Sequence, residues 1–461
     1  MKITVLNGSP KGDQSTTMQS VHYIQKRFPE HELIFFNISK RIKRIEKNDE
    51  VFSEIIDQVR LSDAILWAFP LYVFNVHSGY KRFIELITEK GVQSAFRDKY
   101  TATLTTSIHF FDHTAHNYMN GICDDLDMKY VGGFSADMED LLKEEERRRL
   151  IQFAGNFFET IENRTPTLKR YQPVVKRSFD YMPGQIVSKI KANDKKIIIL
   201  TDAEYNQTNL HGMIERFEGC LEGEVEVINL NDVDIKGACL GCLRCGFENK
   251  CSYGDRDGFM EFYNTRLKAA DVLIIAGEIK DRYLSSRWKL FFDRSFFNCH
   301  SPSLVGKQIG FLIAGPFSQI PDLRQMLEGW VEWQQSNLVD FVTDEYVDSA
   351  EIDAMLQNFA SQCIRFADKK YVKPQTFLGV GGMKIFRDEI WGRLRFVFQA
   401  DHKYFQGHGI YDYPQRDLKT RFINFIIMSL TKIPLIRREF PKRLVSEMLK
   451  PFQKVLQSTE G

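Results

Sequence analysis

Four cysteines crowd into one short segment of the chain, at Cys239, Cys242, Cys245 and Cys251. Thiolates with this Cys-x2-Cys-x2-Cys-x5-Cys spacing can hold the four irons of a cubane at separate corners, because ligands from one loop wrap the cluster and the last closes the cage. The spacing therefore predicts one [4Fe-4S] cluster. Zinc is the strongest alternative, although zinc sites usually pair two well-separated Cys-x-x-Cys knuckles. A reactive or structural group of thiols is the remaining one.

Residues 7–17 form a second segment suited to chemistry, reading Asn-Gly-Ser-Pro-Lys-Gly-Asp-Gln-Ser-Thr-Thr between a strand pattern and a helix pattern. Glycines permit a tight turn, hydroxyls donate to phosphate oxygens, and the helix N-terminus offers unpaired N–H groups and a positive dipole end. This loop predicts a site for the phosphate of FMN. An ordinary turn followed by a Ser/Thr-capped helix is the alternative. The predicted phosphate-binding residues are Ser9, Lys11, Ser15, Thr16 and Thr17.

Both segments must be positioned by the elements around them, which alternate between apolar strand-like runs and amphipathic helix patterns. This alternation predicts parallel sheets covered by helices on both faces, whose ligands bind at the carboxyl ends of the strands. The predicted strands are 3–6, 33–36, 64–69, 101–105 and 130–131 in the first half, and 197–200, 225–230, 272–275, 309–313 and 339–342 in the second.

The loop after the first strand resembles that of the NADPH-dependent FMN reductase family, which has the flavodoxin-like fold, with Thr16 where Asn is common. That family places its flavin ring against a Pro-x-Tyr loop after the third strand. The resemblance implies that the ring would contact the matching residues here, Pro70, Leu71, Tyr72, Val73 and Phe74. An aromatic turn that packs the sheet edge is the alternative.

A third loop, residues 105–109, ends the fourth strand and is expected to reach the flavin from the other side through Thr106 and Ser107. We expect His109, His113 or Tyr118 to give or take a proton beside the flavin. Two alternatives remain, which are surface histidines with no role and a metal site that includes His116. Their spacing does not match a known zinc pattern.

The second half of the chain repeats the first. Lys2 and Asp63 match Lys196 and Asp271, and the offset between the copies grows by the length of an insertion that contains residues 237–251. A compact four-cysteine loop after the second strand of such a domain resembles the iron–sulfur flavoproteins. In this copy, however, residues 201–209 bring in Asp202 and a second carboxylate, and residues 276–283 replace the Pro-x-Tyr loop. Negative charge beside a phosphate is unfavourable, so we expect the second domain to hold the cluster and no flavin.

The predicted fold is therefore α/β, with two tandem flavodoxin-like, doubly wound parallel five-stranded sheets and a mainly helical C-terminal extension. The expected domains are 1–163 (FMN-binding), 164–193 (linker), 194–370 (cluster-binding) and 371–461 (an extension that acts as a lid or docking segment). The basic tail has three possible roles, which are contact with an anionic membrane, docking of an acidic electron donor, and a solvated charged face. Aromatic residues between 396 and 413 are candidates for closing the site.

We expect the two domains to form an intramolecular pseudo-dimer that brings the cluster near the flavin. The predicted function is an oxidoreductase that passes electrons between NAD(P)H or a ferredoxin-type donor, the cluster, FMN and a small-molecule acceptor. The alternatives are a non-catalytic electron carrier or redox sensor, and a zinc-stabilised FMN reductase. An enclosed cavity above the flavin would indicate an enzyme.

Charge and hydropathy restrict the partners and the compartment. The 62 Lys and Arg residues nearly cancel the 61 Asp and Glu residues, so no overall field indicates nucleic acid. The first residues lead directly into a strand pattern without a signal peptide, and the longest apolar run, 422–436, is interrupted by Lys432 and Pro434. We therefore expect a cytoplasmic protein with no membrane span.

Overall fold

The computed structural model describes residues 1–204 and 208–457. The N-terminal part of the chain forms the first sheet. Its strands are ordered β2-β1-β3-β4-β5 and run parallel. This is the strand order of a flavodoxin-like sheet, as predicted. The elements are β1 (Lys2–Asn7), α1 (Thr16–Arg27), β2 (Glu32–Asn37), α2 (Ile38–Lys47), α3 (Asp49–Leu61), β3 (Ala64–Pro70), α4 (Ser78–Glu89), β4 (Tyr100–Ser107), α5 (Asp112–Asp125), β5 (Lys129–Asp137) and α6 (Glu144–Glu162).

The second sheet has the same topology, in the order β9-β7-β10-β11-β12. Its elements are β6 (Ile190–Lys191), β7 (Ile197–Thr201), α7 (Thr208–Gly219), β8 (Leu221–Glu222), β9 (Val225–Asn229), α8 (Cys245–Glu248), α9 (Phe259–Thr265), β10 (Val272–Glu278), α10 (Ser286–Ser295), β11 (Gln308–Ala314), α11 (Pro321–Trp333), β12 (Asn337–Thr343) and α12 (Ser349–Lys369). The two sheets therefore confirm the predicted α/β class.

The same contact fixes the first strand in both sheets. The Lys2 amide donates to the Asp63 carboxylate at 2.8 Å, and the Lys196 amide donates to the Asp271 carboxylate at 2.9 Å. Each carboxylate precedes the third strand of its sheet. The residue matches found in the sequence thus have the same structural role twice.

Two differences from the predicted strands have physical reasons. Strand β5 is much longer than the two residues expected. The prediction was too short because this edge strand is polar and half-buried and carries no apolar run. The short parallel pair β6 and β8 was not predicted, since two-residue strands leave no readable periodicity.

A single hydrophobic core joins the two sheets. It contains Phe83, Phe111 and Tyr118 from the first sheet domain and Phe291 and Trp330 from the second. The opposite face of the first sheet is covered by α1 and α6, and that of the second by α7 and α12. The helices that face the shared core therefore fix the carboxyl ends of one sheet's strands relative to those of the other sheet.

Residues 1–404 form one compact unit, and residues 405–461 form another. Residues 163–189 have no helix or strand and are held down by hydrogen bonds such as that from the Gly184 amide to Asp353 at 2.8 Å. The expected boundaries at 163, 193 and 370 stay predictions. The extension contains α13 (Phe377–Trp391), α14 (Gln399–Gly407), α15 (Leu418–Leu430) and α16 (Pro434–Gln457). No helix in the described part of the chain is both long and apolar enough to cross a membrane.

Candidate functional site

A cavity of about 340 Å³ lies where β1, β3 and β4 end, and the cysteine loop (residues 237–251) lines it as well. Its lining includes every predicted FMN-contacting residue and all four clustered cysteines: Ser9, Lys11, Ser15, Thr16, Thr17, Pro70, Leu71, Tyr72, Val73, Phe74, Thr106, Ser107, Cys239, Cys242, Cys245 and Cys251. The predicted FMN loops and the cysteine loop thus line the same cavity.

The phosphate loop has little room for side chains on its inner side. A methyl group on Gly8 would lie 2.7 Å from Cβ of Phe69, so only glycine fits where the chain leaves β1. Gly12 has φ +63°, which also favours glycine. Ser15 caps α1 by accepting from the Met18 amide at 3.3 Å. The loop therefore presents the N-terminus of α1 to the cavity.

The Pro70 loop carries unusual backbone geometry. Val73 and Phe74 have φ values of +30° and +66°, which is rare for large side chains and unusual above all for a β-branched one. The turn is closed by the Tyr72 amide, which donates to the Asn75 carbonyl at 2.8 Å, and by the reverse bond at 2.9 Å. Such geometry concentrates at ligand-binding sites.

Contacts from the first sheet domain hold the cysteine loop. The Gly79 amide donates to Nδ1 of His77 at 3.1 Å, so the ring proton is on Nε2, which donates to the Cys239 carbonyl at 2.9 Å. Burial lowers the pKa of His77, which keeps the ring neutral. Gly241, with φ +62°, packs so closely on the Tyr72 hydroxyl that a methyl group there would overlap it.

A buried ion pair fixes the other side of the cysteine loop. Arg294 donates to both Asp257 oxygens, at 2.7 and 3.0 Å, and to the Gly237 carbonyl at 2.8 Å. The guanidinium also stacks 4.2 Å from the centroid of the Tyr253 ring. Burial would lower the pKa of Arg294, but Asp257 raises it, so the residue stays a cation at the cavity wall.

The cysteine sulfurs have different environments. Burial raises the pKa of Cys239 to about 12. The neighbouring Cys299 side chain lowers the pKa of Cys245, and the Cys299 thiol donates to the Phe297 carbonyl at 4.0 Å. Cys299 is a fifth cysteine on the cavity wall and has φ +52°. Within residues 1–204 and 208–457, no three His, Cys, Asp or Glu side chains converge on the position of a single metal ion.

Sequence reasoning missed a buried His–Asp pair on the cavity wall. Nδ1 of His300 lies 2.7 Å from Oδ2 of Asp401, while Oδ1 of Asp401 accepts from the His300 amide at 3.0 Å and from the Ser301 hydroxyl at 2.8 Å. The ring stacks 4.0 Å from the centroid of Phe386. Because His300 and Asp401 are 101 positions apart in the chain, no local spacing reveals the pair.

The three residues expected to transfer protons lie outside the cavity lining. Nδ1 of His109 is 2.9 Å from Asp112, and Nε2 of His113 is 3.2 Å from the side-chain oxygen of Gln325. The Tyr118 hydroxyl is buried and donates to Asp281 at 3.2 Å. Burial raises the pKa of Tyr118 well above its usual value. The structure thus does not bring these three groups together with the FMN loops.

The altered loops of the second sheet domain are filled by the protein itself. Asp202 is buried and accepts from the Ser285 hydroxyl and, at 2.8 Å, from Nε1 of Trp288. In the loop after β10, Asp281 pairs with Lys81 at 2.9 Å and Arg282 with Asp125 at 2.7 Å. Residues 205–207 of the altered phosphate loop lie outside the described residues.

Comparison with known proteins gives one family match. Residues 1–150 match the Flavodoxin_2 family, described as having the flavodoxin-like fold. The search of curated proteins found no match.

Several solved structures are similar over about a third of the chain. An NADH:FMN oxidoreductase in its apo form is 16% identical over 37% of this chain and 96% of its own, with a TM-score of 0.31. The NAD(P)H:acceptor flavoenzyme FerB of Paracoccus denitrificans is 17% identical over 35% and 97%, with a TM-score of 0.28. An FMN-dependent NADH-azoreductase of Bacillus anthracis in complex with FMN is 18% identical over 35% and 96%, with a TM-score of 0.25.

The family match covers β1 to β5 and thereby includes the Ser9, Pro70 and Thr106 loops, which end the strands lining the cavity. Residues 1–150 thus match the model of the Flavodoxin_2 family, which has the flavodoxin-like fold, over about a third of the chain.

Proposed function

We propose that this protein is an FMN- and [4Fe-4S]-dependent oxidoreductase whose FMN site and cluster site lie on different sheet domains and open into one cavity. The observation that carries the proposal is the shared lining: the Ser9 and Pro70 loops come from the first sheet domain, and the four cysteines come from the second. Electron transfer between two centres requires such proximity, and a cavity of about 340 Å³ is of the size that holds small ligands.

The first sheet domain supplies groups that fit FMN. The amides of Thr16 and Thr17 make no backbone hydrogen bond within the described part of the chain, as the first turn of a helix leaves them. They would donate to the phosphate, together with the Ser9 and Thr16 hydroxyls and the Lys11 ammonium. FMN supplies hydride transfer and one-electron transfer when bound. The Pro70 loop and the Thr106–Ser107 turn would orient its ring.

The donor set of the cysteine loop fits an iron–sulfur cluster. Cys239, Cys242, Cys245 and Cys251 provide four thiols that line the same cavity, and the Arg294–Asp257 ion pair lies beside them. Such a cluster would supply single electrons. We assign no flavin to the second sheet domain, because Asp202 and its two hydrogen-bond donors occupy the start of its altered loop.

Proton transfer is assigned to His300 in this proposal. Asp401 holds Nδ1, whereas Nε2 has no hydrogen-bond partner among the described residues and the ring lines the cavity. His300 can therefore donate a proton to, or accept one from, a bound acceptor, with Asp401 fixing the tautomer and the ring orientation. His109, His113 and Tyr118 remain candidates only if these residues move toward the cavity.

An enzyme fits this site better than an electron carrier. Aromatic side chains from the second sheet domain and from α13 and its continuation wall the cavity, namely Phe296, Trp330, Trp333, Phe386 and Phe398. A carrier would expose its flavin edge to solvent, whereas this wall leaves an apolar space beside the FMN loops. The electron donor would be NAD(P)H or a ferredoxin-type protein, and the acceptor a small molecule with a flat apolar part.

Cofactor analysis of anaerobically purified protein tests the proposal. We expect about four irons, about four sulfides and one FMN per chain, and we expect Cys245→Ala to lose iron and sulfide while it keeps FMN. Cys220→Ala, at a buried cysteine outside the cavity, is the matched control and should keep both. One zinc without sulfide would indicate the zinc-stabilised reductase instead, and two flavins would show that the second sheet domain also binds one.

A further inference from the structure

Helix α15 exposes all of its apolar side chains. Eight of its thirteen residues are apolar, and the helix has no buried residue. The exposed fractions include 65% for Phe422, 67% for Phe425 and 66% for Met428, and the others are Leu418, Ile423, Ile426, Ile427 and Leu430. So contiguous an apolar surface is unusual on a protein that faces water alone, and it indicates an interaction site.

The same unit carries a strong positive charge. Residues 418–457 contain nine Lys and Arg against two Glu, in a chain whose total charge is +1. Lys432, Arg437 and Arg438 follow α15 directly and are exposed. Helix α16 adds further exposed apolar residues, with exposed fractions of 66% at Leu435, 60% at Met448 and 63% at Phe452. Apolar and basic groups thus occur together along the unit.

We propose that residues 418–457 bind the surface of an anionic membrane, with α15 in the headgroup boundary and the basic residues at the lipid phosphates. Helices that lie in the membrane interface combine bulky apolar residues with Lys and Arg in this way. Neither α15 nor α16 is both long and apolar enough to span the bilayer. A second copy of the chain is a poorer occupant, because two such surfaces would bring like charges together.

The test is sedimentation of the purified full-length protein with lipid vesicles. We expect binding to phosphatidylcholine vesicles that contain phosphatidylglycerol, little binding to phosphatidylcholine alone, and weakening as salt is raised. Replacing Phe422→Ser and Phe425→Ser together should weaken the partition by about tenfold or more. Changing Lys432→Gln, Arg437→Gln and Arg438→Gln should weaken it similarly through charge alone.

Two exposed leucines of the first sheet domain provide the matched control. Leu61 and Leu142 are 71% and 79% exposed, so Leu61→Ser with Leu142→Ser removes comparable apolar surface elsewhere and should leave binding unchanged. Equal binding to both vesicle types, or no binding to either, would overturn the proposal. A dimer in light scattering that disappears in the Phe422→Ser and Phe425→Ser variant would assign the surface to a second copy. The inference does not depend on the proposed redox chemistry. Vesicle binding tests the tail, whereas FMN and iron contents test the proposed function, so either proposal can fail without the other.

Discussion

The Ser78 amide donates to the Asp293 carboxylate at 2.7 Å, so the N-terminus of α4 is bound by an acidic residue of α10. The reverse contact is also present, since the Ser286 amide donates to Glu85 at 2.6 Å. Each acidic residue also pairs with a lysine one turn before it, Lys289 or Lys81. Both helix N-termini in the interface are thus bound by a carboxylate of the other sheet domain.

These reciprocal contacts explain how the two sheet domains keep one orientation. A carboxylate at a helix N-terminus satisfies unpaired amides and interacts favourably with the helix dipole. Burial alone would lower the pKa of Lys81, but Asp281 and Glu85 raise it, so the lysine stays charged. The same interface positions α4, which follows the Pro70 loop in the chain, and so helps to fix that loop at the cavity wall. The arrangement supports the proposed pseudo-dimer.

Removing Glu85 should destabilise the protein strongly. Glu85→Ala leaves the Ser286 amide without its acceptor and removes one of two partners from the buried Lys81 ammonium. We expect a loss of about 3 kcal/mol in the free energy of unfolding, measured by urea denaturation. Glu145→Ala, which breaks an exposed pair with Arg149, is the control and should cost less than about 1 kcal/mol. Equal losses in the free energy of unfolding would show that the buried pair at the interface stabilises the protein no more than an exposed pair does.

Asp202 should make the protein less stable above pH 6. Burial raises its pKa to about 6 in the folded state, against about 3.9 for an ordinary Asp. The folded state therefore binds a proton more tightly, so this group disfavours folding fully above pH 6 and not at all below about pH 4. Asp202→Asn should stabilise the protein by up to about 3 kcal/mol at pH 7, and the gain should fade as the pH is lowered to 4.

Asp112 should affect the pH dependence of stability in the opposite direction from Asp202. Burial opposes ionisation there, but hydrogen bonds from His109 and Ser135 lower its pKa to about 2. Its stabilising contribution is present above about pH 4 and disappears as the pH falls through 2. Asp112→Asn should therefore lower the stability at pH 7. If both variants changed stability in the same direction at pH 7, the assignment of Asp202 as a carboxylate destabilised by burial would be wrong.

The strands and the phosphate-loop motif were predictable because they depend on local pattern. Apolar runs, glycines and hydroxyls can be read from the residues of one short segment, as in β1 and the loop that follows it. The His300–Asp401 pair and the contact of His77 with Cys239 depend on packing between distant segments, and so leave no spacing to read. Proton transfer by the histidine-rich segment 109–116 stays a prediction, since neither His109 nor His113 lines the cavity: His109 pairs with Asp112, and His113 lies against Gln325, which is distant in the chain.

Gly241 should be needed to place the cysteine loop against the FMN loops. Gly241→Ala meets two penalties, a φ of +62° that costs roughly 1–2 kcal/mol for a residue with Cβ, and overlap with the Tyr72 hydroxyl. We expect lower thermal stability and a lower iron content. Tyr72→Phe removes the hydroxyl, so the double variant should recover part of both losses. Losses that simply add would assign the whole effect to the backbone of Gly241.

His300 should be needed for acceptors that take up protons and not for those that take electrons alone. With NADH as donor, we expect His300→Gln to slow reduction of a benzoquinone, which is protonated as it is reduced, by about a hundredfold in kcat. Reduction of ferricyanide, which binds no proton, should be nearly unchanged, and so should the FMN and iron contents. Asp401→Asn should show the same split more weakly, because it changes the partner of Nδ1 and keeps the imidazole itself.

The exposed His113 is the matched control for His300. His113→Gln should change neither rate, since its Nε2 faces Gln325 and the residue is absent from the cavity lining. A hundredfold loss of benzoquinone reduction in His113→Gln, with His300→Gln unaffected, would return proton transfer to the segment 105–118 and require that segment to move during turnover. Equal loss of both acceptor activities in His300→Gln would instead indicate a structural role, because ferricyanide reduction needs an intact cavity but no proton donor.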